Sequence, residues 1–495
     1  MSTDVQSGTA QVTIGGSIPI DPADGAAHLF VDPVNGDDEN VGLTAATAFQ
    51  TINRAVERMN AWLALELDLD LVIELANGTY AEDVQFIMAQ IPVRRVFLRG
   101  DSTAMTVLAS GTLTAATAYL VTDAGAAFGA TNQFAGQIIE VFDPASPATT
   151  LQQKTLRSHT GTAIAPVAPF SPIPVAGWSY RILEPAAVIV GQGSGAFASN
   201  PAMRIVLPWD TTYDGNVQYP GTGPMLGLMF IKVTSAPSTF GIDQIGGAIF
   251  YTGVFFDGDG ALLVTAGTAV FQGGFIGIVD PIYGTSLTYS PNESAGIGSR
   301  VASIFFGIRI DHGSSGLGFI VSVGTDIFTL GARLIWEGGA IHGGGLEAIE
   351  QSEISIFALD PLLPVLFMAS PTNAVIIREG SRAECSEIVF DDCLSNAFSI
   401  DSTAWIRVSA NITAGAGDVA GVGIWCQNGA KAQVGSAVTF TTTGPNLRVG
   451  NGVDADGDST FAALTLTAPL IDHPNDNGRG AMGVQPGSLA SIWEV

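Results

Sequence analysis

Two segments of this sequence carry residues whose types and order could do chemistry: Arg309, Asp311 and His312 in IRIDHG, and Arg333, Glu337 and His342 in ARLIWEGGAIHG. Each sets an arginine, an acid and a histidine in the same order on a background that is otherwise nearly uncharged. An acid pair is what glycoside hydrolysis requires. An arginine base beside acids that hold Ca²⁺ is what a polysaccharide lyase requires. The catalytic candidates are therefore Asp311, His312, Glu337 and His342, with Arg309, Arg333 and Trp336 as ligand-binding candidates. Trp336, beside Glu337, is the aromatic placed to stack on a sugar ring. Salt bridges between stacked structural elements explain the same residues without any ligand. Ca²⁺ enters only with the lyase reading; otherwise no cofactor and no metal are expected.

Other constellations are weaker. Asp257 and Asp259 in FFDGDG share a face if extended, but Asp-Gly repeats are also ordinary turn chemistry. Cys385, Cys393 and Cys426 are odd in number and far from any paired histidine, so neither a disulfide framework nor a zinc site is implied. Buried thiols are expected. His159 and His473 read as turn residues, and Arg99-Gly100-Asp101 as the end of a strand.

The elements that must position these residues begin at His28. A short apolar strand runs into Asp32-Pro33 and the turn Asn35-Gly36-Asp37-Asp38. Ile52, Ala55, Val56, Met59, Trp62 and Leu63 then recur at three- and four-residue steps, which predicts an amphipathic helix with one face to be covered. Arg54, Glu57, Arg58 and Asn60 take its wet side. Leu69, Leu71, Ile73 and Leu75 switch to the two-residue period of a strand. Onward from about 185, short apolar cores such as Val188-Ile189-Val190, Leu334-Ile335-Trp336, Val375-Ile376-Ile377 and Val422-Gly423-Ile424-Trp425 alternate with Gly, Asn, Asp and Ser turns.

Phe30-Val31-Asp32-Pro33 with Asn35-Gly36-Asp37-Asp38, Ala48-Phe49-Gln50-Thr51-Ile52 and Leu75-Ala76-Asn77-Gly78-Thr79-Tyr80 resembles the opening of right-handed parallel β-helix proteins of the pectate-lyase type. Phage tailspikes and extracellular polysaccharide-degrading enzymes share that opening. The resemblance implies an all-β solenoid whose first coil is plugged by the helix, and it names a scaffold rather than a reaction. Asp391-Asp392 resembles the paired aspartates of polygalacturonases, yet the other signatures of that family are missing around it. Coils of roughly 20 to 30 residues are expected.

The domain organisation that follows is a flexible arm (1–27), a cap with the first coils (28–111), an inserted small β domain (112–184), a β-helix shaft (185–470) and a closing segment (471–495). Tyr119 to Pro185 lacks the Gly-rich coil texture and shows short strands at Gln137 to Phe142, Lys154 to Ser158 and Trp178 to Leu183. It resembles small β modules of phage fibre and tail proteins.

Composition bounds the partners. Of 495 residues, 60 are glycine and 13% are charged, and the mean hydropathy is +0.36, which buried parallel strands explain. Lys+Arg 19 against Asp+Glu 46 gives a net charge of −27, so phosphate backbones and anionic headgroups repel the chain and neither nucleic acid nor a membrane is expected as partner. Met1 to Ala27 has no basic start followed by an apolar core, so no secretory signal is expected. A phage structural protein, released by lysis, needs none. The expected function is a bacteriophage virion protein, a homotrimeric spike that meets other virion proteins and a host surface glycan. Its alternatives are a capsid or tail decoration protein without ligand and a glycan-depolymerising tailspike.

Overall fold

A computed structural model describes residues 20–65, 69–88, 95–193, 201–207, 225–277 and 320–434, with short breaks, and beyond them the strands Val438–Phe440, Leu447–Val449, Ala463–Leu466, Met482–Val484 and Ser491–Glu494. The described chain is all-β, mostly in parallel sheets, with very few helices.

The parallel pairing is the rule that orders it. Ala27–Val31 pairs with Leu71–Leu75, which pairs with Val96–Gly100, and the last pairs with Met225–Met229. From residue 320 onward three ladders run together, and as far as Lys431–Val434 each described strand pairs with the third one along the chain. The first ladder holds Ile320–Val323, Ala340–His342, Val365–Met368, Ile388–Asp391, Ile412–Ala414 and Val438–Phe440. The second holds Ile327–Leu330, Leu346–Ile349, Val375–Ile377, Phe398–Ile400 and Ile424–Cys426 before continuing to Met482–Val484. The third holds Arg333–Glu337, Glu353–Phe357, Arg382–Cys385, Trp405–Val408 and Lys431–Val434 before continuing to Ser491–Glu494. Strand starts at 320, 340, 365, 388, 412 and 438 set a rung every 20–26 residues.

Register decides the core. Leu346, Ala348, Val375, Ile377, Phe398, Ile400, Ile424 and Cys426 occupy equivalent positions on successive rungs and are all buried. Phe367 and Phe390 stack with ring centres 5.4 Å apart, and Phe398 meets Phe390 edge-on at 5.2 Å. The three cysteines are free and buried in this interior, where loss of water raises the thiol of Cys426 to about 12.

The helix Ile52–Leu63 buries Ile52, Ala55, Val56, Met59, Trp62 and Leu63, the face its periodicity predicts. Its N-terminus is satisfied from two directions. Thr51 Oγ1 accepts from Arg54 N at 3.2 Å, while its hydroxyl donates to Asp38 at 2.9 Å. Glu82 accepts from Ile52 N at 2.7 Å and Asn53 N at 3.1 Å, setting a carboxylate on the positive end of the helix. Gly36 is required in the preceding turn because a Cβ there would lie 2.1 Å from the Phe49 carbonyl.

Between Gly100 and Ala187 the pairing changes character. Thr106–Thr112, Ile138–Phe142, Gln152–His159, Ala163–Pro166 and Ser179–Glu184 belong to antiparallel sheet, with a core of their own around Val141, Leu156, Phe170, Tyr180 and Ile182. The parallel stack is continuous across this stretch, since Ala187–Val190 pairs directly with Gly78–Tyr80. Ile138 and Leu183, on the sheet's opposite face, pack with Phe255 of the parallel stack.

Glu82→Ala removes acceptors from two helix N–H groups and from Asn53, so it is expected to lower stability in denaturant titration by about 2–4 kcal/mol, with Glu82→Gln costing less. A loss below about 0.5 kcal/mol would show that the helix is held by its apolar face alone.

Candidate functional site

In a parallel ladder the outward positions of successive rungs line up in columns about 4.8 Å apart, so charges in one column interact strongly. Several of the described ion pairs follow this geometry. Glu74 with Arg99, Arg204 with Asp243 and Glu384 with Arg407 are register partners on neighbouring strands. Asp70 with Arg95 and Glu347 with Arg378 bridge at 2.7 and 3.3 Å.

The third ladder carries the richest of these columns on an open face. Its alternation places Ile354, Ile356, Ala383, Cys385, Ile406 and Val408 inward. Outward, one column reads Glu353, Arg382, Trp405; Arg333 and Lys431 are the register partners of Glu353 and Trp405. Glu353 and Arg382 are exposed and Trp405 is half-buried. The adjoining column reads Ser355, Glu384, Arg407. Glu384 and Arg407 are 60% and 53% exposed and only 4.0 Å apart, a loose pair that water and a ligand can both enter. A cleft of about 440 Å³ opens here, lined by Ser355, Phe357, Glu384, Ser386, Glu387 and Arg407. Guanidinium forks, carboxylates, hydroxyls and an indole on one surface suit the hydroxyl and ring faces of a saccharide.

A second cleft of about 510 Å³ lies beside the cap, lined by Asp32, Glu74, Asn77, Arg99, Asp101 and Ser102. Its acids are engaged by the fold. Asp32 accepts from Val34 N, Asn35 N and the Asn35 side chain, and Asp101 accepts from Thr103 N and its hydroxyl. These contacts hold both carboxyls below their usual range. Glu74 is clamped by Arg99 and by His28 Nδ1 at 3.0 Å. Among the described residues Asp21, Asp24 and His28 offer ligand atoms within 4.8 Å of one another, but His28 already bonds Asp24 and Glu74.

The residues singled out in sequence fall in different places. Arg309, Asp311 and His312 lie outside the described residues, as do Asp259 and His473. Arg333 and Glu337 pair in register with Glu353 and Phe357 of the third ladder. Trp336 is 1% exposed and points inward against the column of Ile356, so the expected sugar-stacking indole offers no face to solvent. Asp391 and Asp392 diverge: Asp391 ends a strand and Asp392 turns away at φ +51°.

His342 is 5% exposed, which removes it from any solvent-side role. It is covered by the antiparallel sheet, where its Nε2 donates to the Arg157 carbonyl at 2.9 Å. On the same seam Arg157 Nη1 donates to the Pro364 carbonyl at 3.2 Å and Asn132 reaches Met368 Sδ at 2.8 Å. Burial lowers the pKa of His342 to about 4, and the Arg157 and His159 charges push in the same direction. His159 is lowered by burial too, with its Nε2 accepting from Phe134 N at 3.0 Å. Glu353, Arg382, Glu384, Trp405 and Arg407 were not singled out in sequence. The signal that marks them is a polar or aromatic residue at the outward position of successive strands, which needs the register to be seen.

No family model matches the chain, and no curated protein does. Solved structures similar to it include a glycoside hydrolase (9% identity over 95% of this chain and 96% of that one, TM-score 0.21). A tailspike of Pseudomonas phage phi297 matches at 11% identity over 86% and 75%, TM-score 0.19. A tailspike of Acinetobacter baumannii bacteriophage AP22, in complex with A. baumannii capsular saccharide, matches at 9% over 88% and 76%, TM-score 0.17. At such scores the function of this chain has to be read from its own residues.

The buried imidazole makes stability depend on pH. A histidine near 6.5 when unfolded and about 4 when folded binds its proton preferentially in the unfolded chain, so stability is full above 6.5 and falls as pH drops toward 4. The expected loss is up to about 3 kcal/mol. Denaturant titrations at pH 7 and pH 4 should show His342→Gln losing less than the parent; equal slopes would show that His342 does not titrate across this window.

Proposed function

We propose that the chain is a right-handed parallel β-helix serving as a bacteriophage virion protein, a homotrimeric spike that contacts a host surface glycan through the outer face of its third ladder. The observation that carries this reading is the pair of columns Glu353–Arg382–Trp405 and Ser355–Glu384–Arg407 on consecutive rungs. Three ladders advancing in step, with a helix packed on Ala27–Val31 and Val84–Ile87 near the start of the parallel stack, are what a solenoid shaft requires. The β-helix opening read from Phe30 to Tyr80 points the same way. Residues 112–184 form an inserted β domain on the flank of the shaft, between the cap (28–111) and the main coils (185–470), and the end of the cap, Thr106–Thr112, joins its antiparallel sheet by pairing with Ser179–Glu184. The arm 1–27 and the segment 471–495 are its two ends. Net charge of −27 favours a neutral or weakly anionic glycan over nucleic acid or a membrane. Among the described residues no helix is long and apolar enough to cross a membrane.

A decoration protein would use the same columns for packing against neighbours, and a depolymerase would cut what it binds. Trp405→Ala with Arg407→Ala is expected to reduce binding of the purified protein to host envelope polysaccharide by at least tenfold, about 1.4 kcal/mol or more, with the melting temperature nearly unchanged. Unchanged binding would remove the glycan face. Release of reducing or unsaturated ends during the same incubation would make the protein a depolymerase.

Light scattering at micromolar concentration should give three times the 51.0 kDa chain mass. A stable monomer would contradict the spike.

A further inference from the structure

Among the described residues, no carboxylate answers the positive charge at the seam between the antiparallel sheet and the first ladder. Arg157 lies on Gln152–His159, where Leu156 points into the antiparallel core and Thr155 and Arg157 point the other way, toward the ladders. Its Nη1 donates to the Pro364 carbonyl, a neutral acceptor. Its Nε is shut off from solvent and has no hydrogen-bond partner among the described residues. No described carboxylate pairs with it, and burial alone pulls its pKa below the usual guanidinium value. The residue as a whole is half-buried, so water meets part of the guanidinium, but a guanidinium does not deprotonate and the shut-off Nε–H is left with nothing to donate to among the described residues.

Two more polar atoms on this seam have no hydrogen-bond partner among the described residues. Thr155 is fully buried and its Oγ1 is unpartnered. His342, whose Nε2 is spent on the Arg157 carbonyl, leaves Nδ1 buried and unpartnered. In the neutral ring that nitrogen is a lone pair; on protonation it becomes a donor. The charged or titratable groups that bear on it are Arg157 and His159 from the antiparallel sheet, while Asp391 stands two rungs along in its own column.

We propose that this seam binds a small inorganic anion of the halide class, held by the Arg157 guanidinium with Nε as its donor and the Thr155 hydroxyl beside it. The anion takes the orphaned Nε–H and offsets the half-buried charge, and so fastens the antiparallel sheet to the ladders. Ligation is tied to docking, because Arg157 comes from one sheet and Pro364 and His342 from the other. The site is separate from the outward columns of the third ladder, and it stands or falls independently of glycan binding.

Bromide is the probe. Crystals of the full chain grown in sodium bromide and measured at the bromine edge should show an anomalous peak within about 4 Å of the Arg157 guanidinium. In solution, replacing gluconate by bromide at constant ionic strength should raise the melting temperature along a saturating curve, and Arg157→Met should flatten it. Where Arg157→Met fails to fold, Arg157→Lys, which keeps the charge and loses the Nε donor, should weaken the bromide dependence at least fivefold in half-saturating concentration. A melting temperature indifferent to bromide, or anomalous maps empty at Arg157 with the chain intact, would overturn the site.

Discussion

In-register parallel pairing is the constraint from which the rest of this structure follows. Once each strand hydrogen-bonds to its equivalent one rung on, every side-chain position becomes a column with a spacing of about 4.8 Å. Inward columns have to be apolar and fitted to one another, as Phe367, Phe390 and Phe398 are. Outward columns have to alternate in charge, because like charges at that spacing repel, and Glu353–Arg382 and Glu384–Arg407 obey. The first rung has no predecessor to cover its apolar interior, which is why a helix with six buried residues sits there.

The same constraint explains what could be read in the sequence and what could not. The cap helix was legible residue by residue, because its 3.6-residue period is local and its face is complete within twelve positions. The antiparallel strands at Ile138–Phe142, Gln152–His159 and Ser179–Glu184 lie within two residues of where alternation placed them. Trp336 was misread, because a one-residue choice of register sends an aromatic from the surface to the core, and nothing local fixes that choice. His342 was misread for a different reason. Its cover comes from Arg157, 185 residues earlier in the chain, and such docking leaves no mark in the neighbouring sequence.

The column Glu353, Arg382, Trp405 escaped notice because its members are separated by unequal loops, so no fixed period connects them. Columns, rather than motifs, are therefore the unit in which this chain presents chemistry. On the first ladder the outward column Ala340–Leu366 and its neighbour His342–Met368 are closed off by the antiparallel sheet, and the half-buried guanidinium of Arg157 lies at that closure. On the third ladder the outward columns stay open. The parallel stack thus has a face devoted to holding its own parts and a face free to meet something else.

Single-cysteine labelling tests this arrangement most directly, since the three native thiols are buried. Cysteines placed at Ser355, Glu384 and Arg407, and separately at Ile354, Ala383 and Ile406, would be treated with a maleimide under native conditions and followed by mass spectrometry. The column account predicts fast modification at the first three and protection at the second three until the protein unfolds. The reverse pattern, or equal rates in both sets, would contradict the register and with it the open face.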